Sequence, residues 1–214
     1  MNRDGKGFFL TLEGIEGAGK TTLAARLADA FTQAGEQVLV TREPGGDRIA
    51  DSIRSLLLDV EAELVDRAEL LLFEAARAQN VRNVIMPALD SGCLVICDRF
   101  ADSSVAYQGS GQNIDREFID TANTFATFGL VPDLTLVLDL PVEVGLGRQS
   151  ATDRIGSVGR EFHQRVREGF LAIAGQEPER VTVVDALLPA ESVARMAFDL
   201  VCDRITKMQG RYAT

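Results

Sequence analysis

Four residues near the start of the chain have the types and the spacing of a phosphate-binding loop. They are Gly14, Gly19, Lys20 and Thr21, which satisfy the pattern G-x-x-x-x-G-K-[ST]. Glycines adopt positive φ angles readily, so successive backbone N–H groups can turn towards phosphate oxygens, and a following helix adds its positive end. The lysine would contact the β- and γ-phosphates, and the threonine hydroxyl would bind the Mg²⁺ between them. The whole predicted phosphate site is Gly14, Ile15, Glu16, Gly17, Ala18, Gly19, Lys20, Thr21 and Thr22.

The segments around this turn decide between a phosphate loop and a glycine-rich turn that ends in Lys-Thr by chance. Residues 8–12 are an apolar run typical of a short strand, and residues 20–34 carry apolar side chains at helical spacing. A strand, the turn and then a helix is the context in which the motif binds phosphate. We therefore favour the phosphate loop, and we expect the Lys20 ammonium to face solvent when no nucleotide is bound.

The composition of the 214-residue chain is typical of one soluble globular domain. No apolar run approaches the roughly 20 residues of a membrane span, and the short polar start does not resemble a signal peptide. We therefore expect a cytoplasmic protein without a membrane partner. The net charge of −10 argues against polymeric nucleic acid, so a small anionic substrate would need arginines concentrated in one place.

The cysteines and the single histidine exclude several kinds of site. Cys93, Cys97 and Cys202 lack the spacing of metal ligands, and we expect them to be buried reduced thiols. His163 stands alone, which leaves no material for a histidine-rich metal site or a Ser-His-Asp triad.

Strand and helix patterns alternate along the chain. The predicted strands are 8–12, 37–41, 93–97, 134–138 and 181–184. The predicted helices are 20–34, one capped by Asp47, 64–80, 115–128, 142–148, 161–174 and 190–208. Residues 98–109 are predicted to be a loop, and residues 149–159 a mobile lid. This alternation predicts an α/β fold with a doubly wound parallel sheet.

Seven short segments, taken together and in this order, are specific enough to indicate a protein family. They are GIEGAGKTT (14–22), TREPGG (41–46), IRSLLL (53–58), LLLFEAARAQNV (70–81), DRFADSSVAYQG (98–109), PDLTLVLDLP (132–141) and DRI (153–155). With them, nearly the whole chain resembles the thymidylate kinase family. The resemblance implies a P-loop kinase fold, a five-stranded parallel sheet with helices on both faces, and one nucleoside monophosphate kinase domain over residues 1–214. It also implies transfer of the γ-phosphoryl group of ATP to dTMP, giving dTDP for dTTP synthesis, with Mg²⁺ and usually as a homodimer.

The resemblance implies roles for five charged residues. Arg54 and Arg99 match contacts to the acceptor phosphate, a task that suits arginine because its planar fork binds phosphate oxygens in pairs. Asp98 matches an acidic residue near Mg²⁺, directly or through water. Glu16 matches the carboxylate that accepts the sugar 3′-hydroxyl, and Glu43 matches a second carboxylate near Mg²⁺ and the acceptor. The alternatives are a surface arginine for Arg54, a strand-end cap for Asp98 and a solvated loop charge for Glu16.

The nucleoside would be recognised by residues of two further segments. Phe73 and Arg77 lie four residues apart on one predicted helical face, so a ring and a guanidinium can meet one base, although a core position is the alternative for Phe73. Because arginine only donates hydrogen bonds, Arg77 suits O4 of thymine and not the amino group of cytosine. The resemblance places Phe100 near the sugar 2′ carbon, where it would disfavour ribose. The other predicted dTMP contacts are Ser104, Tyr107 and Gln108.

The predicted lid would complete the catalytic set. Some family members carry an arginine in the phosphate loop, but positions 15–18 here have none. The resemblance therefore assigns the missing charge to Arg148 and Arg154, as in the bacterial-type subclass. One departure is Gly156, where the family has a glutamate. The predicted catalytic residues are Lys20, Asp98, Arg99, Arg148 and Arg154.

Three other functions are weighed against this one. The chain could be a P-loop kinase of another nucleoside monophosphate, a nucleotide-binding switch, or an inactive binding module. A guanine-specific Asn-Lys-x-Asp motif is absent from the sequence, and the acceptor residues would have no purpose in a switch.

Overall fold

A buried strand near the start of the chain lies at the centre of a five-stranded parallel sheet. The structure is a computed structural model that describes residues 7–148, 154, 156 and 158–212, without the side chains of 209–212. In chain order the strands are β1 (Phe8–Glu13), β2 (Val38–Arg42), β3 (Leu94–Asp98), β4 (Leu134–Asp139) and β5 (Val181–Asp185). Their order across the sheet is β2-β3-β1-β4-β5, and every neighbouring pair is parallel.

The helices connect these strands in the alternating pattern that the sequence predicts. In the described part of the chain the α-helices are α1 (Lys20–Gln33), α2 (Arg48–Leu58), α3 (Asp66–Asn80), α4 (Met86–Asp90), α5 (Ala101–Ser104), α6 (Arg116–Ala126), α7 (Val142–Gly147), α8 (Arg160–Gln176) and α9 (Ala190–Tyr212). Two π-helical segments, Val81–Ile85 and Val105–Gly111, follow α3 and α5. The expected cap of α2 is confirmed, because the Asp47 side chain accepts hydrogen bonds from the N–H groups of Ile49 and Ala50 at 2.8 and 3.1 Å.

Apolar side chains cover the sheet on both faces. Alternate residues of β1 point to opposite sides: Leu10 packs in the cluster that contains α1 and α9, whereas Phe9 packs with the π-helical segment after α3. A third cluster joins β4 to α8. The predicted five-stranded parallel sheet with helices on both faces is confirmed.

The loop predicted for residues 98–109 is wrong from residue 101 onwards, because α5 and the π-helical segment Val105–Gly111 occupy that stretch. The residues that pack this segment against α8, among them Ala106 and Tyr107, are buried. A Cβ on Gly169 of α8 would lie 2.5 Å from the Ser110 hydroxyl, which shows how closely the two segments approach. Long-range packing therefore outweighs the glycines and serines that favour a loop.

Two smaller features complete the description. All three cysteines are free thiols, but only Cys97 is buried, so the expectation of burial is wrong for Cys93 and Cys202, which are half-buried. Among residues 7–148, 154, 156 and 158–212, no helix combines the length and the apolar character needed to cross a membrane.

The central strand should dominate stability. Leu10→Ala removes a fully buried side chain, so the free energy of unfolding should fall by about 2–5 kcal/mol. The same change at exposed Leu187, in the turn after β5, should cost less than about 0.5 kcal/mol. Urea unfolding of both variants measures the difference, and equal losses would contradict this core.

Candidate active site at the carboxyl edge of the sheet

Charged residues end the strands of the sheet at one edge. The register pairs Leu12 of β1 with Asp98 of β3, and Arg42 of β2 with the same Asp98. The chain leaves β1 at Glu13 and enters the glycine-rich loop directly. In open parallel sheets, ligands bind outside the carboxyl ends of the strands, where neighbouring connections diverge. The candidate site therefore surrounds the loop between β1 and α1.

The glycines of this loop take conformations that other residues rarely adopt. Gly14 has φ of 134°, and a Cβ there would lie 2.5 Å from the carbonyl oxygen of Leu138. Gly19 has φ of 93° just before α1, and a Cβ there would meet no atom within 4 Å. The first glycine lets the loop approach β4, and the second leaves open space at the helix N-terminus. Such a space suits an anion.

Lys20 does not face solvent, so that expectation is wrong. Its side chain is 7% exposed, and Nζ donates hydrogen bonds to the carbonyl oxygens of Gly14 and Ile15 at 3.0 and 2.8 Å. The loop curls around the ammonium, which satisfies the carbonyls that the tight turn exposes. Burial, followed by the nearby Arg99 cation, lowers the pKa of Lys20 to about 8. The lysine therefore remains mainly charged at neutral pH.

A cleft of about 1340 Å³ lies on one side of the phosphate loop. Arg148 borders it and donates a hydrogen bond from Nη1 to the Ala186 carbonyl at 3.3 Å. The lining residues are Gly17, Ala18, Gly19, Lys20, Thr21, Thr22, Leu23, Arg26, Leu138, Arg148, Ala186, Leu188, Ala190 and Val193. This donor-side cleft has room for a nucleoside whose phosphates reach the loop.

Two oxygen atoms that could bind a metal ion lie close together near the start of α1. The Thr21 hydroxyl donates a hydrogen bond to Asp98 Oδ2 at 2.6 Å. A hydroxyl and a carboxylate are ligands that suit Mg²⁺, which usually takes one or two protein oxygens and completes its shell with phosphates and water. Within the described ranges no group of three or more His, Cys, Asp or Glu side chains could hold a metal. The Thr21 hydroxyl and the Asp98 carboxylate fit the one or two protein ligands of a Mg²⁺ that arrives with a nucleotide.

A second cleft, of about 630 Å³, lies on the other side of the loop. It brings together all ten residues that the sequence predicts to contact dTMP, namely Glu16, Glu43, Arg54, Phe73, Arg77, Arg99, Phe100, Ser104, Tyr107 and Gln108. Pro44, Leu58 and Ser103 complete its lining. We call it the acceptor-side cleft.

Arg77 is the most completely buried charge of the acceptor-side cleft, at 2% exposure. Its Nε donates to Glu43 Oε2 at 2.8 Å, and its Nη1 donates to Glu74 Oε1 at 2.6 Å. Nη2 donates to the Phe100 carbonyl at 3.0 Å. In the described part of the chain the second N–H of Nη2 has no acceptor, so the guanidinium is fixed in position with one donor left over.

The carboxylates around Arg77 set its charge. Burial opposes the charge on the guanidinium, but the carboxylates of Glu74 and Glu43 outweigh it and raise the pKa of Arg77 further. Burial raises the pKa of Glu43 despite its pairing with the arginine. Arg77 therefore only donates hydrogen bonds at any relevant pH.

Glu74 and Asn123 also belong to this cluster, although the sequence patterns did not indicate them. Glu74 lies three residues before Arg77 on α3, and its Oε1 also accepts a hydrogen bond from Ser104 at 3.0 Å. Asn123 Oδ1, on α6, lies 2.6 Å from Arg77 Nη1. The three-residue spacing of Glu74 and Arg77 on a helix could have indicated their pairing. The contact of Asn123 with Arg77 could not be predicted, because it depends on how α6 packs against α3.

Arg99 joins the phosphate loop to the acceptor-side cleft. It is not a glycine, yet its φ is 73°. Nη1 donates to the Gly14 carbonyl and Nη2 donates to Glu16 Oε1, both at 3.0 Å. The guanidinium carbon lies 4.9 Å from the centre of the Tyr107 ring. The strained backbone aims the side chain across the edge of the sheet, where it lies between the phosphate loop and the acceptor-side cleft.

Glu16 accepts several contacts inside the cleft. Oε1 accepts from Arg99 and also from the Tyr107 hydroxyl at 2.6 Å, while Oε2 lies 3.1 Å from His163 Nδ1. Burial opposes its ionisation, but Arg99, His163 and Lys20 outweigh that effect and hold the pKa of Glu16 below its usual range. Glu16 is therefore ionised. The lone histidine carried no signal in the sequence that would connect it with this carboxylate.

Glu13 also belongs to this site, although the sequence patterns did not indicate it. It is fully buried at the end of β1; Oε1 accepts a hydrogen bond from the Phe100 N–H at 2.8 Å, and Oε2 accepts one from Ser103 at 2.6 Å. Burial, with a further contribution from Asp102, raises the pKa of Glu13 to about 7. The carboxylate holds the chain immediately after the strained Arg99. The only indication in the sequence was that a charged residue ends an apolar strand.

Three of the residues predicted to bind nucleotides make hydrogen bonds to other parts of the protein in this structure. Arg54 borders the acceptor-side cleft and donates from Nη1 to the Pro44 carbonyl at 2.8 Å. Gln108 Nε2 donates to Glu69 Oε1 at 2.8 Å. Arg154 is absent from the lining of both clefts, and it donates to Glu69 Oε2 at 2.5 Å.

The predicted lid falls largely outside the described residues. Residues 149–153, 155 and 157 are among those that the structure does not describe.

The fold and the two clefts define the class of protein. A parallel sheet whose first strand leads through a glycine-rich loop to a lysine and a helix, with clefts on both sides of that loop, is a P-loop kinase fold. The thymidylate kinase family profile matches residues 12–197. The chain belongs to the thymidylate kinase family.

Individual relatives agree with this assignment. The chain is 48% identical to the thymidylate kinase of Geobacter sulfurreducens, over 94% of this chain and 99% of the relative. It is 50% identical to that of Trichlorobacter lovleyi, over 92% and 98% of the two chains. The crystal structure of thymidylate kinase from Ehrlichia chaffeensis superposes with a TM-score of 0.77 at 34% identity, covering 92% of this chain and 99% of that one.

Glu13 should make stability depend on pH. Its pKa is 4.5 when unperturbed and about 7 in the fold, so between these values the folded state holds a proton that the unfolded state has released. This group should therefore lower the free energy of unfolding by on the order of 3 kcal/mol as pH rises through that window. Glu13→Gln should remove this loss, so the variant should gain stability relative to wild type from pH 4.5 to 7.

Thermal or urea unfolding across this pH range measures that difference. Glu117→Gln, at an exposed position of α6, is the matched control and should change nothing. A constant difference between Glu13→Gln and wild type would show that Glu13 does not titrate near neutrality.

Proposed function

We propose that this chain transfers the γ-phosphoryl group of ATP to dTMP, giving dTDP for dTTP synthesis. The observation that carries the proposal is the gathering of ten predicted acceptor contacts in one cleft beside a phosphate loop that borders a second cleft. Two nucleotides bound in these clefts would bring their phosphates together at the loop. Membership of the thymidylate kinase family supports the same reaction.

The base would be read by the buried arginine. The ring of Phe73 offers a stacking surface in the acceptor-side cleft, and the free N–H of Arg77 Nη2 would donate to O4 of thymine. Ser104 and Gln108 would be its polar neighbours. The fixed guanidinium makes this donor pattern rigid, which favours selection against a base with an amino group at that position.

The sugar and the acceptor phosphate would lie closer to the loop. Glu16 would accept the hydrogen bond of the 3′-hydroxyl, and Phe100, with Tyr107 nearby, would leave little room for a 2′-hydroxyl. Arg99 and Arg54 would bind the phosphate oxygens. Because a phosphate monoester is already a nucleophile, its oxygen needs positioning and charge neutralisation more than a general base.

The donor side would stabilise the transferring group. Backbone N–H groups of residues 14–22 and the Lys20 ammonium would bind the ATP phosphates, and Thr21 with Asp98, directly or through water, would hold Mg²⁺. When bound, Mg²⁺ neutralises charge on the phosphate oxygens. Glu43 would lie between the Mg²⁺ ligands and the acceptor nucleotide. Its backbone N–H donates to the Asp98 carbonyl, and its carboxylate pairs with Arg77.

The positive charge missing from the phosphate loop would come from Arg148 and Arg154. Arg148 already borders the donor-side cleft, whereas Arg154 would have to leave Glu69 to reach a phosphate. We propose that residues 149–159 act as a lid that carries the second arginine. The whole chain, residues 1–214, would be one nucleoside monophosphate kinase domain in the cytoplasm, with no nucleic-acid polymer or membrane as partner.

A homodimer is the assembly that we propose. α2 packs on α3, and α3 packs on α6. These helices leave large apolar side chains exposed, among them Leu56, Leu71, Phe118 and Phe125. We call the exposed apolar side chains of α2, α3 and α6 the apolar patch; exposed apolar side chains on helices that pack together are typical of an interface between protein chains.

The base preference tests the function most simply. With ATP and Mg²⁺, ADP release should be fastest with dTMP, roughly fivefold slower in kcat/KM with dUMP for loss of a methyl group, and roughly 10²-fold or more slower with dCMP. The reason is that dCMP would place an amino group against the Arg77 donor. Equal turnover of dCMP and dTMP would contradict this reading, and another preferred monophosphate would reassign the enzyme.

Replacing the arginine tests the same contact from the protein side. Arg77→Gln should lower dTMP activity and shrink the ratio of dTMP to dCMP, because glutamine presents a donor or an acceptor. It also leaves buried Glu43 and Glu74 without their cation, at a cost of about 3–5 kcal/mol, so melting temperature must be measured beside activity. An unchanged ratio in a folded variant would place base recognition elsewhere.

Lys20 should be needed for transfer but not for folding. Lys20→Met should reduce kcat/KM by roughly 10²-fold or more, because it removes the charge that meets the transferring phosphates. It loses two hydrogen bonds of about 1 kcal/mol each, so the melting temperature should fall by less than about 8 °C. The control is Lys207→Met on the exposed face of α9, and a Lys20→Met variant with more than a few per cent of wild-type activity would sink the assignment.

The dimer should depend on the apolar patch. Light scattering should give wild type about twice the 23.2 kDa mass of one chain. Phe125 is 86% exposed in the single chain, so Phe125→Glu should not unfold it but should yield monomers. Leu187→Glu, away from these helices, should stay dimeric, and a Phe125→Glu variant that remains dimeric would exclude this face.

A further inference from the structure

A buried histidine faces the carboxylate of the acceptor-side cleft and has no part in the function proposed so far. His163 lies on α8, is fully buried, and has its Nδ1 3.1 Å from Glu16 Oε2. The two atoms are within reach of a hydrogen bond, although their present alignment falls short of one. Within the described residues neither these atoms nor His163 Nε2 has a hydrogen-bond partner. A buried polar side chain without partners is uncommon, so its position needs an explanation.

The chemistry of the pair fixes which nitrogen carries the proton. Glu16 is ionised, and an ionised carboxylate only accepts hydrogen bonds. Nδ1 must therefore carry hydrogen, and a small rotation of the ring would align it with Oε2. The Phe162 ring packs edge-on against the imidazole, with 5.4 Å between ring centres. This packing limits how far the histidine can turn.

The two oxygens of the Glu16 carboxylate have different surroundings. Its two oxygens offer about four acceptor sites. Arg99 and the Tyr107 hydroxyl take two sites on Oε1, and His163 faces one of the two on Oε2. Oε2 is buried from solvent, so a hydroxyl group in the cleft would reach the carboxylate at Oε1 and share that oxygen with Arg99 and Tyr107. An imidazole next to the buried Oε2 would fix the orientation of the carboxylate and so keep Oε1 directed towards the cleft.

We propose that His163 is a positioning residue that holds Glu16 for recognition of the sugar 3′-hydroxyl of the acceptor nucleotide. The inference rests on the proposed function, in which Glu16 accepts that hydroxyl. The histidine acts only through the carboxylate and does not touch the substrate. It also connects α8, the helix that begins at Arg160, directly to the phosphate loop.

Three substitutions separate this role from simple packing. Asparagine carries an amide N–H near the position of Nδ1, leucine has a similar shape without a donor, and glutamine carries its amide near the position of Nε2. We compare kcat/KM for dTMP with that for 2′,3′-dideoxythymidine 5′-monophosphate, which lacks only the 3′-hydroxyl. The ratio of the two values measures the contact with Glu16, and melting temperatures report the fold.

The expected result is a selective loss. His163→Leu should lower the ratio by roughly tenfold, as expected for a weakened hydrogen bond to a charged group, while His163→Asn should keep it within about threefold of wild type. In a Glu16→Gln background, His163→Leu should no longer change the ratio. If the leucine variant does not fold, His163→Gln replaces it and should also lower the ratio relative to His163→Asn.

Three results would overturn the inference. Equal losses for both substrates would assign His163 to packing alone. A wild-type enzyme that phosphorylates dTMP without preferring the 3′-hydroxyl would remove the contact through which His163 acts while leaving the kinase function intact. Absence of dTMP phosphorylation by the wild type would instead overturn the proposed function, and the inference with it.

Discussion

The parallel pairing of β1 with β3 places four ionisable side chains side by side at one edge of the sheet. Glu13 ends β1 and Glu16 follows it, while Asp98 ends β3 and Arg99 follows it; the register sets Leu12 against Asp98. Charges so close to a buried core must be paired or hydrogen-bonded. Their partners determine the backbone path of the phosphate loop and the direction of Arg99, so both clefts depend on this one juxtaposition.

The same constraint explains how an acidic chain can hold two anionic nucleotides. The net charge is −10, yet Lys20, Arg99 and Arg148 surround the phosphate loop and Arg77 lies below the acceptor-side cleft. Inside the protein each of these cations is held by carbonyl or carboxylate oxygens. Preorganisation of this kind reduces what the protein must rearrange when phosphates arrive. The positive charge is local and fixed, which suits small substrates better than a nucleic-acid polymer.

The parts of this structure that could be predicted are those that depend on local sequence. The phosphate loop, the five strands and the Asp47 cap each have a short-range pattern, and the structure has all of them. The ten acceptor residues came from resemblance, and the structure gathers them in one cleft. Their roles remain proposals that the experiments above address.

The features that were missed depend on contacts between distant segments. Residues 101–111 have a loop-like composition but become helical because α8 covers them. His163 approaches Glu16 across about 150 residues of sequence, and Glu13 caps a turn that begins after β3. Lys20 folds back on its own loop because carbonyl oxygens are nearer than solvent. No periodic pattern of residues in the sequence predicts these contacts.

The most direct test of this account is a crystal structure of the protein with dTMP, Mg²⁺ and a nonhydrolysable ATP analogue. The account predicts thymine beside Phe73 with O4 at hydrogen-bond distance from Arg77, and the triphosphate on the loop that contains Lys20. The two nucleotides should point their phosphates at each other across Arg99. A dTMP molecule bound in the donor-side cleft, or bound with O4 turned away from Arg77, would contradict it.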